Sequence, residues 1–157
     1  MARRRDAGPR SPGQKFVLCI DDHSEVLAIL REFLQTSGYS VLTAANGKAG
    51  LKLLASNPVD AVIVDYEMPG KSGAEVAREV RRLRPHVPIL MFSGYVAELP
   101  ATAFENVDAV VAKGERAAAL LEAIAGLFRI RRPARKPMMC SRGYPHAASR
   151  SKSASRM

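Results

Sequence analysis

Five polar residues stand at the ends of apolar runs in this chain. Asp21 and Asp22 follow Phe16-Val17-Leu18-Cys19-Ile20, and Asp65 follows Val62-Ile63-Val64. Ser93 follows the run that ends at Phe92, and Lys113 the run that ends at Ala112. Successive members lie 43, 28 and 20 residues apart from Asp22 onward, each about one strand–helix unit or slightly more. Three clustered carboxylates repel one another unless a cation joins them. Oxygen-only ligands favour a hard ion such as Mg²⁺, which keeps several waters. An ammonium and a hydroxyl suit phosphoryl oxygens. An Asp in their midst can attack phosphorus and become an aspartyl phosphate. Singly, each residue is bland: a lone Lys after a strand is usually solvated, and a lone Ser there is usually a cap. The ordered set of strand ends carries the signal.

The elements that position this set are legible from periodicity. The run 16–20 reads as a first strand, and Ser24 as the cap of a helix with Val26, Leu27, Leu30, Phe33 and Leu34 on one face, stopped by Gly38. Residues 39–44 read as strand two. Asn46 caps a second helix with Leu51 and Leu54 inward, broken at Asn57-Pro58. Residues 59–64 form strand three, ending at Asp65, and Pro69-Gly70 turns the chain. Val76, Ala77, Val80 and Leu83 mark a third helix, with Arg78, Arg81, Arg82 and Arg84 as its solvated face. Strand four is 88–92. Pro100 predicts a short or broken fourth helix over 96–106. Strand five is 107–112, and Ala117, Leu120, Leu121, Ile124, Leu127 and Phe128 give a final amphipathic helix. Strands alternating with helices imply a five-stranded parallel sheet with helices on both faces, an α/β doubly wound fold, with ligands at the carboxyl ends of the strands.

Charge divides the chain into three. Residues 1–15 carry net +4 and residues 129–157 carry net +9 with no acid, whereas 16–128 carry net −4. We expect a flexible basic arm over 1–15, one domain over 16–128, and a disordered basic tail over 129–157. The pI of 10.1 describes the tails and not the domain. Two cysteines, Cys19 in a strand and Cys140 in the tail, make no disulfide framework, so a reducing, cytoplasmic setting is expected. The N-terminus is no secretory signal, and no apolar run approaches the roughly 20 residues that span a membrane.

These motifs resemble the receiver domain of two-component response regulators over residues 15–128. Ile20-Asp21-Asp22 resembles the family's acidic pair, and Val64-Asp65-Tyr66-Glu67-Met68-Pro69-Gly70 its phosphoacceptor loop, with Gly73 at the expected place. Phe92-Ser93-Gly94 and Ala112-Lys113 are similar to its hydroxyl and lysine motifs. The resemblance implies a flavodoxin-like fold with strand order 2-1-3-4-5. It implies a phosphoryl group accepted on Asp65 from a sensor histidine kinase or phosphotransfer protein. It implies Mg²⁺ held by Asp22, Asp65 and the main-chain carbonyl of Glu67, with Asp21 assisting through water, and phosphoryl contacts from Ser93 and Lys113. Gly114 stands where the family usually has Pro. Val110 stands where it often has an aromatic switch residue, and Tyr95 reads as a surface tyrosine.

Nothing after Phe128 has the periodicity of a helix-turn-helix domain, so a stand-alone phospho-receiver that signals by partner binding, and is not an enzyme, is the expected function. Two other classes compete. A haloacid-dehalogenase-like phosphohydrolase also uses an aspartyl phosphate and needs a second acid two residues on, where Glu67 stands. Met68-Pro69-Gly70 and the absence of a cap insertion argue against it. The basic tails can hold nucleic acid only non-specifically, through phosphates, because Tyr144 is the tail's one aromatic.

Overall fold

The apolar runs lack the polar alternation of a half-exposed sheet, so each needs cover on both faces. The computed structural model, which describes residues 11–129, supplies that cover. Strands β1 (Phe16–Ile20), β2 (Ser40–Ala44), β3 (Ala61–Val64), β4 (Ile89–Ser93) and β5 (Ala109–Ala112) form one parallel sheet in the order β2-β1-β3-β4-β5. Helices α1 (Ser24–Thr36), α2 (Gly47–Ser56), α3 (Gly73–Leu83) and α4 (Ala117–Arg129) cover it. The predicted flavodoxin-like sheet is therefore the observed one. Of the expected flexible arm over 1–15, residues 1–10 lie outside the described residues, as does the expected disordered tail from residue 130.

Successive side chains along each strand point to opposite faces. Leu18, Ile20, Val62, Val64 and Ile89 pack under α2 and α3. Val17, Cys19, Ile63, Leu90 and Val111 pack under α1 and α4 with Leu30, Leu34 and Ile124. Each fully buried aliphatic side chain contributes about 1.5–3 kcal/mol relative to its exposed state. The order of the strands matters for the site. From β1 the chain turns one way to β2, then crosses back to β3 on the other side of β1. That reversal leaves a crevice beyond the carboxyl ends of β1 and β3.

Asn46 caps α2 as its sequence suggests, accepting a hydrogen bond from Ala49 N–H at 2.8 Å. Ser72 and Glu75 form a reciprocal capping box at the start of α3. Ser24 does not cap α1: it is the first helical residue, and His23 occupies the cap position without a capping side-chain bond. Leu83, expected inward, is 44% exposed, at the last residue of α3. Pro100 has the predicted effect. Between β4 and β5 the chain makes only two short 3-10 turns, Val96–Glu98 and Ala101–Phe104.

The row of arginines on α3 is not simply a solvated face. Arg81 turns in and donates to the carbonyls of Pro85, Val87 and Asn106, and pairs with Asp108 at 2.8 Å. Arg84 donates to the Leu54 carbonyl at the end of α2. Carbonyls left open at chain turns recruit these guanidinium groups, which offer several donors in one plane.

Candidate functional site

Strand register brings the predicted residues to one end of the sheet. Ile20 is level with Val64, so Asp21 and Asp65 leave adjacent strands side by side, and Asp65 N–H donates to the Ile20 carbonyl at 2.9 Å. Ser93 is level with Ala112, and Lys113 N–H donates to the Ser93 carbonyl at 3.0 Å. Ser93 is buried at the end of β4, the strand beside β3. Asp21 and Asp65 are buried as well, and with Ser93 they are the buried polar residues among those described.

The Lys113 ammonium reaches across the crevice. Its Nζ donates to Asp21 Oδ2 at 2.7 Å and lies 3.4 Å from Asp65 Oδ2. The other Asp21 oxygen, Oδ1, accepts from the His23 main-chain N–H at 2.9 Å and faces His23 Nδ1 at 3.0 Å. Burial pushes the Asp65 carboxyl above its ordinary pKa, Lys113 opposes that shift, and the Asp21 and Asp22 charges add to it. His23 is likewise raised, first by its hydrogen bond to Asp21 and then by the Asp22 and Asp21 charges.

Asp22 is partly exposed, yet its Oδ1 is buried and has no hydrogen-bond partner among the described residues. His23 Nδ1 is 3.1 Å away, an ion pair when the ring is protonated. A buried carboxylate oxygen without a hydrogen bond costs free energy unless a cation meets it. Asp21, Asp22, His23 and Asp65 offer one ligand atom each, all within 4.8 Å of one another. The donor set therefore fits a divalent cation. His23 was missed in the sequence; its one signal was its place next to the acidic pair.

The loop that leaves β3 is held by close approach. Gly73 packs so tightly that a Cβ there would lie 2.1 Å from the Asp65 carbonyl oxygen. Gly73 N–H donates to the Tyr66 carbonyl at 2.8 Å, and Gly70 turns the chain with φ +84°. Glu67 is exposed in this loop. Val110 is half-buried on β5, and Tyr95 is 60% exposed, as a surface tyrosine should be.

Beside Lys113 lies an apolar groove of about 260 Å³ between α1 and α4. Val26, Ile29, Phe33, Phe92 and Leu120 line it, and Ile29 is 67% exposed.

The family model of the response regulator receiver domain matches residues 17–125. The transcriptional regulatory protein PrrA of Mycobacterium tuberculosis is 38% identical over 88 residues, which is 56% of this chain and 36% of that protein. The chain spans about a third of the length of the curated relatives it matches. Among solved structures, the response regulator TrrA of Thermotoga maritima in complex with Mg²⁺ and BeF is 35% identical, with a TM-score of 0.67 over 73% of this chain and 99% of that one. A second structure holds TrrA in complex with the histidine kinase ThkA; there the TM-score is 0.68 at 35% identity, over 73% and 98% of the two chains.

Proposed function

This chain belongs to the response regulator receiver domain family, and from that premise we propose that it accepts a phosphoryl group on Asp65 from a sensor histidine kinase or phosphotransfer protein. One observation carries the reading: the Lys113 ammonium bridges two buried carboxylates, Asp21 and Asp65, beyond adjacent strand ends. That arrangement leaves a nucleophile and a phosphoryl-oxygen partner facing one crevice.

The residues divide the work. The Asp65 carboxylate attacks phosphorus; the bond from phosphorus to the donor nitrogen breaks, and the imidazole leaves with the electron pair. Lys113 and Ser93 hold the transferred oxygens. Asp22, Asp65 and the Glu67 main-chain carbonyl would bind Mg²⁺, with Asp21 assisting through water, and the orphaned Asp22 Oδ1 supports this assignment. Bound Mg²⁺ supplies positive charge against the phosphoryl oxygens and the carboxylates. The groove between α1 and α4 is the surface we assign to the phosphodonor protein, since its apolar lining opens beside Lys113. TrrA, 35% identical, is held by a histidine kinase in its complex. Signalling then proceeds by binding an output partner, without turnover of phosphate esters by this domain.

Incubation with acetyl phosphate or phosphoramidate and Mg²⁺, followed by intact mass, reads the reaction directly. We expect one added phosphoryl group, trapped by borohydride and mapped to Asp65, and none in Asp65→Asn. A label that persists in Asp65→Asn on another residue sinks the assignment. Steady hydrolysis of a phosphate ester would instead favour the phosphohydrolase.

A further inference from the structure

The acidic cluster contains a nitrogen donor that the reading above does not use. His23 caps α1 without making a side-chain capping bond, so its imidazole has no local duty in the helix. The side chain is 63% exposed, yet its Nδ1 turns back toward the crevice instead of toward solvent. It lies 3.0 Å from Asp21 Oδ1 and 3.1 Å from Asp22 Oδ1.

Without an ion the Asp21 contact is a hydrogen bond, and once Nδ1 gives up its proton both spacings also match a coordination polyhedron. Ligand atoms about 2.1 Å from an octahedral ion sit about 3.0 Å apart along each edge. With Asp21 Oδ2 occupied by Lys113, only Oδ1, beside His23, is open toward the ion or the water through which Asp21 assists. Asp22 Oδ1, buried and without a hydrogen bond among the described residues, sits at the second edge.

We propose that His23 Nδ1 is a ligand of the cation site and sets its ion preference, shifting it from Mg²⁺ toward late first-row ions such as Co²⁺ and Ni²⁺. The proposal rests on the cation site assigned above. An all-oxygen site suits Mg²⁺, whereas an imidazole adds little for Mg²⁺ and much for Co²⁺, Ni²⁺ or Zn²⁺. Coordination uses the Nδ1 lone pair, so the ring proton resides on Nε2, on the exposed side of the ring where water can accept it.

The full chain carries three histidines, so the test uses a His86→Gln, His146→Gln, Cys140→Ser background in which His23 is the remaining histidine. Calorimetric titration with Mg²⁺, Co²⁺ and Ni²⁺ compares this parent with His23→Ala and with Asp22→Asn. Replacing His23 should weaken Ni²⁺ and Co²⁺ about tenfold or more while Mg²⁺ changes less than about threefold. With ¹⁵N-labelled histidine, Zn²⁺ should shift Nδ1 and leave the proton on Nε2, a signature that a hydrogen-bonding role would not produce. An unchanged ratio of Ni²⁺ to Mg²⁺ affinity in His23→Ala overturns the proposal. In that case, loss of Mg²⁺ in Asp22→Asn leaves the underlying site standing. If Asp22→Asn binds Mg²⁺ as the parent does, the cation site and the proposal fall together.

Discussion

At the scale of single residues, the site depends on one close contact more than on any polar bond. Gly73 begins α3 directly against the main chain of Asp65 and Tyr66, at distances no Cβ tolerates. The obstruction is backbone, which cannot rotate away, and it is the backbone that carries the Asp65 carboxylate. Gly73→Ala should therefore destabilise the domain by about 3 kcal/mol or more, the upper range for overpacking. Gly50 is a useful contrast. Its Cβ would meet the buried Ile20 side chain, Cδ1 at 2.4 Å and Cγ1 at 2.8 Å, which can yield by repacking where a main chain cannot, and alanine favours the helix by about 1 kcal/mol over glycine. Urea unfolding of the two variants should give a much lower midpoint for Gly73→Ala than for Gly50→Ala. Equal midpoints would falsify the close-packing account of the Asp65 loop. Cys19, by contrast, is chemically quiet: burial pushes its thiol up to about 12, so it packs as a small apolar residue in β1.

At the scale of elements, the segment between β4 and β5 is where this chain differs from a regular strand–helix alternation. Pro100 and the two 3-10 turns leave it without the backbone hydrogen bonds of a full helix. Its far end is tied down. Arg81 joins the end of α3 to Asn106 and Asp108, and the Asp108 carboxylate also accepts from Ile89 N–H at 2.8 Å. The near end is Ser93-Gly94, and a Cβ at Gly94 would meet open space. On β5, Val110 is stiff at χ1 and cannot sweep the volume of an aromatic ring. A phosphoryl group can bias two states only through contacts that differ between them, and Ser93 is the residue we propose for that contact. We expect beryllofluoride with Mg²⁺, a phosphoryl mimic, to slow hydrogen exchange chiefly in 93–106 and to leave 107–114 nearly unchanged. New protection concentrated in 107–114, with none in 93–106, would show that strand five carries the switch after all.

At the scale of the whole molecule, two opposite charges share one chain. The domain body is net −4 over 16–128, and the two ends are net +4 and +9. Among the described residues, no helix is long and apolar enough to cross a membrane. A polyanion is attracted to the basic ends and repelled by the acidic body, and phosphate contacts with Lys and Arg carry no sequence information. DNA binding by the full chain should accordingly be indifferent to sequence, weaken steeply as salt rises, and disappear when residues 131–157 are deleted. Electrophoretic shifts across a salt series check all three. Selective binding of one DNA sequence by the shortened protein would place recognition in the domain body instead.

The sequence by itself determined most of the elements and which polar residues stand at their ends. Short, β-branched apolar runs bounded by turn residues point to covered strands, and the carboxylates, hydroxyl and amine at four of their ends point to a cation and a phosphoryl group. Pro100 was enough to predict the broken segment after β4, and Asn46 the cap of α2. What the tertiary structure alone decided are relations between residues far apart in the chain. Lys113 Nζ reaches Asp21 Oδ2 at 2.7 Å across 92 positions, a contact set by strand order and register. Asp60 and Asp108 follow the same local pattern of an acid beside an apolar run, yet at the amino ends of strands their carboxylates accept from Phe16 and Ile89 N–H. Arg81 looks in sequence like its exposed neighbours on α3. It is half-buried because carbonyls from two connections, Pro85 and Val87 before β4 and Asn106 before β5, converge where that helix ends. Side-chain direction at a helix start made His23 invisible too: only the fold turns its Nδ1 back onto Asp21 and Asp22. Local pattern fixes which backbone a segment adopts, while the partner of a polar group depends on which other segments arrive beside it.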